Sequence, residues 1–166
     1  HIEDIIITDG YVGGQAVVEY FRGLLLTLKG TSSEAMSVSV KWDGAPAVVC
    51  GTNPDNGKFF VGTKSVFSKT PKINYTKKDI ATNHGTDELG QKLLKCLVHL
   101  KKLNIPGVVQ GDLLYTDEGI TRKNIDGKPH LTFTPNTITY AVPEDGDLAK
   151  QIDRAKLGII FHTTYA

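Results

Sequence analysis

One lysine in the sequence stands where it could act as a nucleophile. Lys41 lies near the end of residues 36–42, in which apolar and polar side chains alternate, and Asp43 and Gly44 follow. The alternation predicts a half-buried strand with Lys41 on its polar face. A lysine in that place can attack an electrophile once its amine is deprotonated, and Gly44 would let a ligand approach the backbone. The simpler interpretation is a strand that ends in an Asp-Gly turn, with Trp42 in the core.

A second group of lysines lies in a segment that contains no acidic residue. Residues 56–78 hold Lys58, Lys64, Lys69, Lys72, Lys77 and Lys78. Lys64 is expected on the returning strand of a hairpin, residues 59–64, which would bring it near Lys41. Lys69, Lys72, Lys77 and Lys78 are expected in a loop, residues 64–78. This loop is either a surface for phosphates or nucleic acid or a solvated face, and composition favours neither.

Other chemistries are excluded or lack a signal. The sequence contains neither a Walker A phosphate loop nor a G-x-S-x-G nucleophile turn, and its histidines lack metal-ligand spacing. Cys50 and Cys96 form no C-x-x-C pair, which favours a reducing compartment such as the cytoplasm. The net charge of +1 does not indicate a partner. No apolar run is long enough to span a membrane, so a membrane partner is not expected.

The elements that must position these residues are strands with a few helices. Apolar stripes predict helices over residues 17–28, 87–103 and 147–155, the first preceded by a loop at residues 10–14 and followed by a C-terminal Gly30. Further strands are expected at residues 47–50, 107–115, 120–125, 130–133, 137–142 and 157–162. Most connections are too short for parallel crossovers. The sequence therefore predicts an α+β fold of mainly antiparallel sheets flanked by helices, in one domain.

Against this background, K-W-D-G (residues 41–44) resembles the K-x-D-G motif of the covalent nucleotidyltransferases, which comprise ATP-dependent DNA ligases, RNA ligases and mRNA capping enzymes. Further segments follow in the family's order. T-K-S (63–65) is similar to its second motif, Q-G-D-L (110–113) to a Gly-Glu-Leu strand of RNA ligases, T-Y-A-V (139–142) to an aromatic segment, and L-G-I-I (157–160) to Glu-Gly-Ile-Val. The chain also resembles uncharacterised tailed-phage proteins that share K-W-D-G-A-P and H-T-T-Y.

The resemblance implies a ligase-type core and a two-step reaction. Lys41 would attack the α-phosphate of ATP or GTP, most simply forming lysyl-AMP, and the nucleotide would pass to the 5′ end of DNA or RNA. Mg²⁺ would neutralise the phosphates. The resemblance assigns nucleotide contacts to Trp42, Asp43, Gly44, Lys64, Asp112, Phe133 and Tyr140. Asp112 would accept from a ribose hydroxyl, and an aromatic ring would stack on the base. Nucleic acid would be bound by Lys69, Lys72, Lys77 and Lys78.

Several positions depart from the family pattern. Pro46 stands where the family has a basic residue, Leu157 where it has a metal-associated Glu, and Asp112 is one methylene shorter than the usual Glu. The fifth motif, Lys-x-Lys, is not found before Ala166, so a C-terminal part could complete the site. These departures keep two alternatives open. One is a catalytically degenerate relative that only binds nucleotide or nucleic acid, and the other is a structural phage protein. Asp112 could also serve a structural pairing, and Phe133 and Tyr140 simple sheet packing.

Overall fold

The computed structural model describes residues 1–31 and 41–165. The chain divides into two compact units, His1–Lys41 and Trp42–Ala166, and each is described by itself. The strand expected at residues 36–42 lies largely outside the described residues, while Lys41 and Trp42 themselves have no regular secondary structure.

The N-terminal unit is a kinked helix, α1, over Ile2–Leu28. The kink is at Gly10, whose φ of 55° and ψ of −128° are not helical. The helix therefore begins well before the predicted residue 17, and the predicted loop at residues 10–14 is wrong, because the apolar residues on both sides of Gly10 continue the helix. The predicted C-terminal glycine is confirmed. Gly30 has a φ of 69°, and its N–H donates to Thr27 O while that of Thr31 donates to Leu26 O, which is a Schellman motif.

The larger unit is built on a four-stranded antiparallel sheet with the order β2-β1-β3-β7. The strands are β1 (Ala47–Thr52), β2 (Phe59–Gly62), β3 (Val108–Thr116) and β7 (Leu157–Tyr165). Helix α3, Glu88–Leu100, packs on one face of this sheet, and its Leu93, Cys96 and Leu100 are buried with Val48, Cys50 and Leu113. Asp87 caps α3 by accepting from the N–H of Gly90. This helix confirms the predicted one, with a short 3₁₀ turn at Lys101–Leu103.

A second antiparallel sheet has the order β4-β5-β6. Its strands are β4 (Thr121–Ile125), β5 (Lys128–Phe133) and β6 (Tyr140–Pro143). Asp126 and Gly127 join β4 to β5 with φ angles of 50° and 78°, as the predicted Asp-Gly hairpin turn requires. Helix α4, Asp147–Arg154, places Ala149 and Ile152 in a small core with Leu131 and Phe133. The predicted helix at residues 147–155 is therefore confirmed.

The lysine-rich segment is more ordered than the predicted loop. A 3₁₀ helix covers Lys64–Phe67, and helix α2 covers Lys77–His84. Thr76 and Asp79 form a capping box at the start of α2, so the sequence carries a T-x-x-D signal for the start of this helix. Asn74 is fully buried and pairs with Val61 of β2.

The architecture is thus α+β, with antiparallel sheets and flanking helices, as predicted. Within the described residues, no helix is long and apolar enough to cross a membrane.

Candidate functional site

Lys41, the predicted nucleophile, is exposed and has no strand conformation. The predicted polar-face position in a strand is therefore wrong for Lys41 itself. Because Lys41 belongs to the N-terminal unit, its approach to Lys64 and Asp112 stays a prediction. The next residues of the motif, 42–44, belong to the larger unit and are described there.

Gly44 lies against the middle of β3. A Cβ at Gly44 would lie 2.7 Å from Leu113 O and 2.8 Å from Asp112 Cβ, so only glycine permits this approach. The Ala45 N–H donates to Leu113 O at 3.0 Å, and the Leu113 N–H donates to Pro46 O at 3.1 Å. These bonds extend the β1–β3 pairing to the two residues that precede β1. Two segments that the resemblance assigns to one site, about Gly44 and about Asp112, are therefore in direct contact.

Asp43 is held at both its backbone and its side chain. Its N–H donates to the Tyr140 hydroxyl oxygen at 2.9 Å. Its Oδ2 accepts a hydrogen bond from Asn136 Nδ2 at 3.1 Å. Both partners come from the second sheet, Tyr140 from the start of β6 and Asn136 from the preceding loop. The sequence reasoning missed Asn136, and no pattern in the sequence marks it.

Four aromatic rings form a continuous row, which we call the aromatic row. Trp42 lies 5.0 Å from Tyr140, Tyr140 5.5 Å from Phe133, and Phe133 4.8 Å from Tyr115, measured between ring centroids. Trp42 is 39 % exposed, while Phe133 is only 4 % exposed. The expected core position of Trp42 is therefore wrong: its ring is accessible, and the buried Phe133 supports Tyr140 from behind.

The far end of the aromatic row explains the glycine of the L-G-I-I segment. A Cβ at Gly158 would lie 2.2 Å from the Tyr115 ring, so the glycine makes room for that ring over β7. Leu157, which replaces the family's Glu, is partly buried and packs against the main core. This position therefore serves packing rather than ligand contact.

Asp112 lies in the middle of β3, beside Ala47 of β1 and Ile160 of β7. Its side chain is 22 % exposed, and its Oδ1 lies 3.6 Å from Nε2 of His162 on β7. When His162 is protonated, the two side chains form an ion pair. The sequence assigned no role to His162, and the register of β3 and β7 is what places it beside Asp112.

Lys64 follows β2 rather than ending it. It is the exposed first residue of the 3₁₀ helix Lys64–Phe67, whose start is capped by the Thr63 hydroxyl. The predicted position on the returning strand is therefore wrong, because the chain leaves the sheet after Gly62. The register still relates it to Asp112: Gly62 pairs with Val49 of β1, and Ala47, two residues earlier, pairs with Asp112. Lys64 and Asp112 thus lie near the same end of β1.

The four lysines predicted to bind nucleic acid are all exposed, Lys69, Lys72, Lys77 and Lys78. Lys72 donates to the Asn83 backbone oxygen near the end of α2 at 3.1 Å, which is a structural contact. Lys77 and Lys78 occupy the first turn of α2, where the helix dipole disfavours cations. Their placement therefore does not stabilise the helix.

A cleft of about 350 Å³ lies between α3, β3 and the loop after β5. Lys92 and Lys95 of α3 line it together with Ala45, Tyr115 and Pro135. Lys95 forms ion pairs with Asp117 and Glu118.

Asp117, beside this cleft, also bonds Lys156 at 3.1 Å. Hydrogen bonds from Lys95 and then from Lys156 lower the pKa of Asp117 to about 2. The charges around the cleft are therefore largely neutralised by one another. Among residues 1–31 and 41–165, no group of three or more His, Cys, Asp or Glu side chains could hold a metal ion.

The described fold and site define an α+β protein in which two antiparallel sheets hold a glycine-containing segment beside a carboxylate and an aromatic row. The chain belongs to the Family of unknown function (DUF6267), whose family model matches residues 1–166. No curated protein and no solved structure matches the chain.

Proposed function

We propose that this protein is a ligase-type nucleotidyltransferase that binds ATP or GTP, forms a lysyl-nucleotide at Lys41 and transfers the nucleotide to a polynucleotide 5′ end. The observation that carries the proposal is the contact of Gly44 with β3 at Asp112 and Leu113. These residues are distant in sequence, yet the resemblance assigns both segments to one nucleotide site. If the two segments matched the family motifs only by chance, there would be no reason for them to lie in contact.

The groups around residues 42–44 suit the parts of a nucleotide. The exposed Trp42 ring and the half-buried Tyr140 ring offer a surface for a base. Among the contacts of the described residues, His162 approaches Oδ1 of Asp112, so Oδ2 is the oxygen that would accept from a ribose hydroxyl. Lys64 would offset phosphate charge from the end of β2. Phe133 contributes by supporting Tyr140.

The reaction needs one bond made and one broken in each step. In the first, the deprotonated Lys41 amine attacks the α-phosphorus. The N–P bond forms, the bond from phosphorus to the bridging oxygen breaks, pyrophosphate leaves, and the amine proton passes to water. In the second, an oxygen of a 5′-phosphate attacks the same phosphorus. The O–P bond forms, the N–P bond breaks, and the lysine nitrogen takes up a proton from water and leaves as the amine. Water is the proton acceptor because no general base is assigned to the site.

A magnesium ion fits this site only as a companion of the nucleotide. Mg²⁺ in such sites is held by one or two carboxylates, by water and by substrate phosphates, and Asp112, which lies beside Gly44, is a carboxylate that could contribute. The bound ion would supply neutralisation of the charge that develops on pyrophosphate.

The lysine-rich segment supports a polynucleotide as the acceptor. Lys69, Lys77 and Lys78 are exposed, and the segment they occupy is fixed to β2 through the buried Asn74. A basic surface on an ordered segment can hold a phosphate backbone in a constant position.

A catalytically degenerate binder is the second candidate, and one observation favours it. Leu157 packs against the core at the position of the family's metal-associated Glu, so that carboxylate has no replacement there. A protein of this kind would bind nucleotide or nucleic acid without forming an adduct. A structural phage protein would bind DNA alone.

The deciding experiment is the intact mass of the protein after incubation with ATP or GTP and Mg²⁺. We expect a gain of one nucleoside monophosphate, acid-labile and base-stable as a phosphoramidate is, that forms faster as pH rises and the amine loses its proton. Lys41→Ala and Lys41→Arg should form no adduct, because alanine lacks the amine and a guanidinium stays protonated. Lys123→Ala, at an exposed position of β4, is the matched control and should react like the wild type.

Three outcomes separate the candidates. An adduct that persists in Lys41→Ala, or that maps to another lysine, would refute the role of Lys41. Nucleotide binding without an adduct would favour the degenerate binder. Binding of DNA with no binding of nucleotide would favour a structural role.

A further inference from the structure

We propose that Asn136 is a positioning residue that fixes residues 42–44, and through them Lys41, in the geometry that adduct formation requires. The inference rests on the proposed function for its chemistry, but its structural part can be tested without any activity. Asn136 touches neither nucleotide nor lysine in this role. It acts through Asp43.

Asn136 holds the side chain of Asp43. Its Nδ2 donates to Asp43 Oδ2 at 3.1 Å, and a hydrogen bond to a charged acceptor is among the stronger ones in proteins. The Asp43 N–H is bound separately by the Tyr140 hydroxyl. The residue at the centre of the motif is thus held at two of its polar groups.

The other restraints on residues 42–45 act on atoms outside the Asp43 carboxylate. Gly44 is restrained by its packing on β3, and Ala45 by its bond to Leu113 O. The Trp42 ring packs against the Tyr140 ring. Among the hydrogen bonds of the described residues, only the bond from Asn136 restrains the Asp43 carboxylate, so Asn136→Ala removes that restraint.

The restraint on Asp43 affects how well Lys41 is placed to react. An attacking group must be held near its reaction geometry, and a misplacement of about 1 Å can cost about 100-fold in rate. Lys41 is joined to Trp42 and lies two residues before Asp43, so an Asp43 held only at its N–H by Tyr140 would constrain the lysine backbone less. A residue that fixes Asp43 therefore raises the fraction of molecules in which Lys41 is correctly placed.

The test uses the only tryptophan of the chain, Trp42, as a probe beside Asp43. In Asn136→Ala we expect Trp42 emission to shift to the red and its quenching by acrylamide to increase. Adduct formation should slow by about 10- to 100-fold, and the slower rate should persist at saturating nucleotide. Asn124→Ala, at an exposed position of β4, is the matched control and should change none of these quantities. Thermal unfolding followed by circular dichroism verifies that each variant is folded.

A reciprocal exchange keeps the inference falsifiable. Asn136→Asp alone sets two carboxylates against each other and should disturb Trp42 more than Asn136→Ala does. Combined with Asp43→Asn, it restores a hydrogen bond with donor and acceptor exchanged, and Trp42 emission should return toward the wild type. Tyr140→Phe keeps the ring but removes the acceptor for the Asp43 N–H, and gives an independent measure of how far Trp42 can move.

Failure of the inference differs from failure of the proposed function. If Trp42 quenching in folded Asn136→Ala equals that of the wild type, Asn136 does not fix the segment and the inference is overturned, whatever the wild type does with ATP. If Trp42 is disturbed but the adduct rate is unchanged, the positioning role is overturned as well. If the wild type forms no adduct at all, the proposed reaction fails, while the fluorescence still reports on the contact.

Discussion

Substituting Gly44 by alanine tests the contact on which the proposed function depends. The new methyl group would meet Leu113 O at 2.7 Å and Asp112 Cβ at 2.8 Å. Neither atom belongs to the flexible end of a side chain, so the clash is not relieved by a rotamer change. Residues 42–45 would have to move away from β3.

The expected cost follows from these contacts. Overpacking of a tight site costs about 1–3 kcal/mol. Movement would also lengthen the 3.0 Å bond from the Ala45 N–H to Leu113 O, which contributes about 1 kcal/mol. We therefore expect the free energy of unfolding to fall by about 2–4 kcal/mol and the melting temperature by roughly 5–15 °C.

The assay is chemical denaturation followed by circular dichroism, together with the rate of adduct formation. Gly119→Ala is the matched control, because a Cβ there would have its nearest neighbour, Thr116 Oγ1, at 4.0 Å. The control should stay within about 0.5 kcal/mol of the wild type. If the free energy of unfolding of Gly44→Ala also lies within about 0.5 kcal/mol of the wild-type value, Gly44 is not packed on β3 as described. The main support for the proposed function is then lost.

Two further predictions concern charge. Alanine replacement of the four lysines at positions 69, 72, 77 and 78 should flatten the log–log salt dependence of nucleic-acid binding by roughly 0.7–0.9 per lysine that contacts phosphate. The matched control replaces the exposed lysines at positions 101, 102, 123 and 128. If both variants show the same salt dependence of binding, the lysine-rich segment does not bind nucleic acid and is only a solvated face. The second prediction concerns Asp117, whose pKa is lowered to about 2 by Lys95 and Lys156. Because a lowered folded pKa stabilises the fold above the unfolded value of about 3.9, Asp117→Asn should cost up to about 1 kcal/mol at pH 6 for this partly exposed cluster. The difference in thermal stability should shrink between about pH 4 and pH 2, and a constant difference would contradict the assigned ion pairs.

Local patterns in the sequence were sufficient for most of the elements. The apolar stripe of α3, the Asp126-Gly127 turn and the strands of both sheets follow from periodicity and turn chemistry, which act between residues close in the chain. The glycine after α1 was predicted for the same reason. The start of α1 was not, because a glycine in a kink and a glycine before a helix have the same sequence signature. Helix α2 was not predicted, although Thr76 and Asp79 provide a local capping signal for its start.

The candidate site depended far more on tertiary structure. The sequence by itself identified Lys41, Asp112 and Tyr140 as chemically informative, since a motif is a local property. That Gly44 lies on β3 and that Asp112 faces His162 follows only from the pairing of β1, β3 and β7, which joins residues far apart in the chain. The same applies to Asn136, a polar loop residue whose amide acquires significance only when the second sheet brings it to Asp43. Side-chain contacts of this kind are decided by the packing of whole sheets, which no local spacing of residue types records.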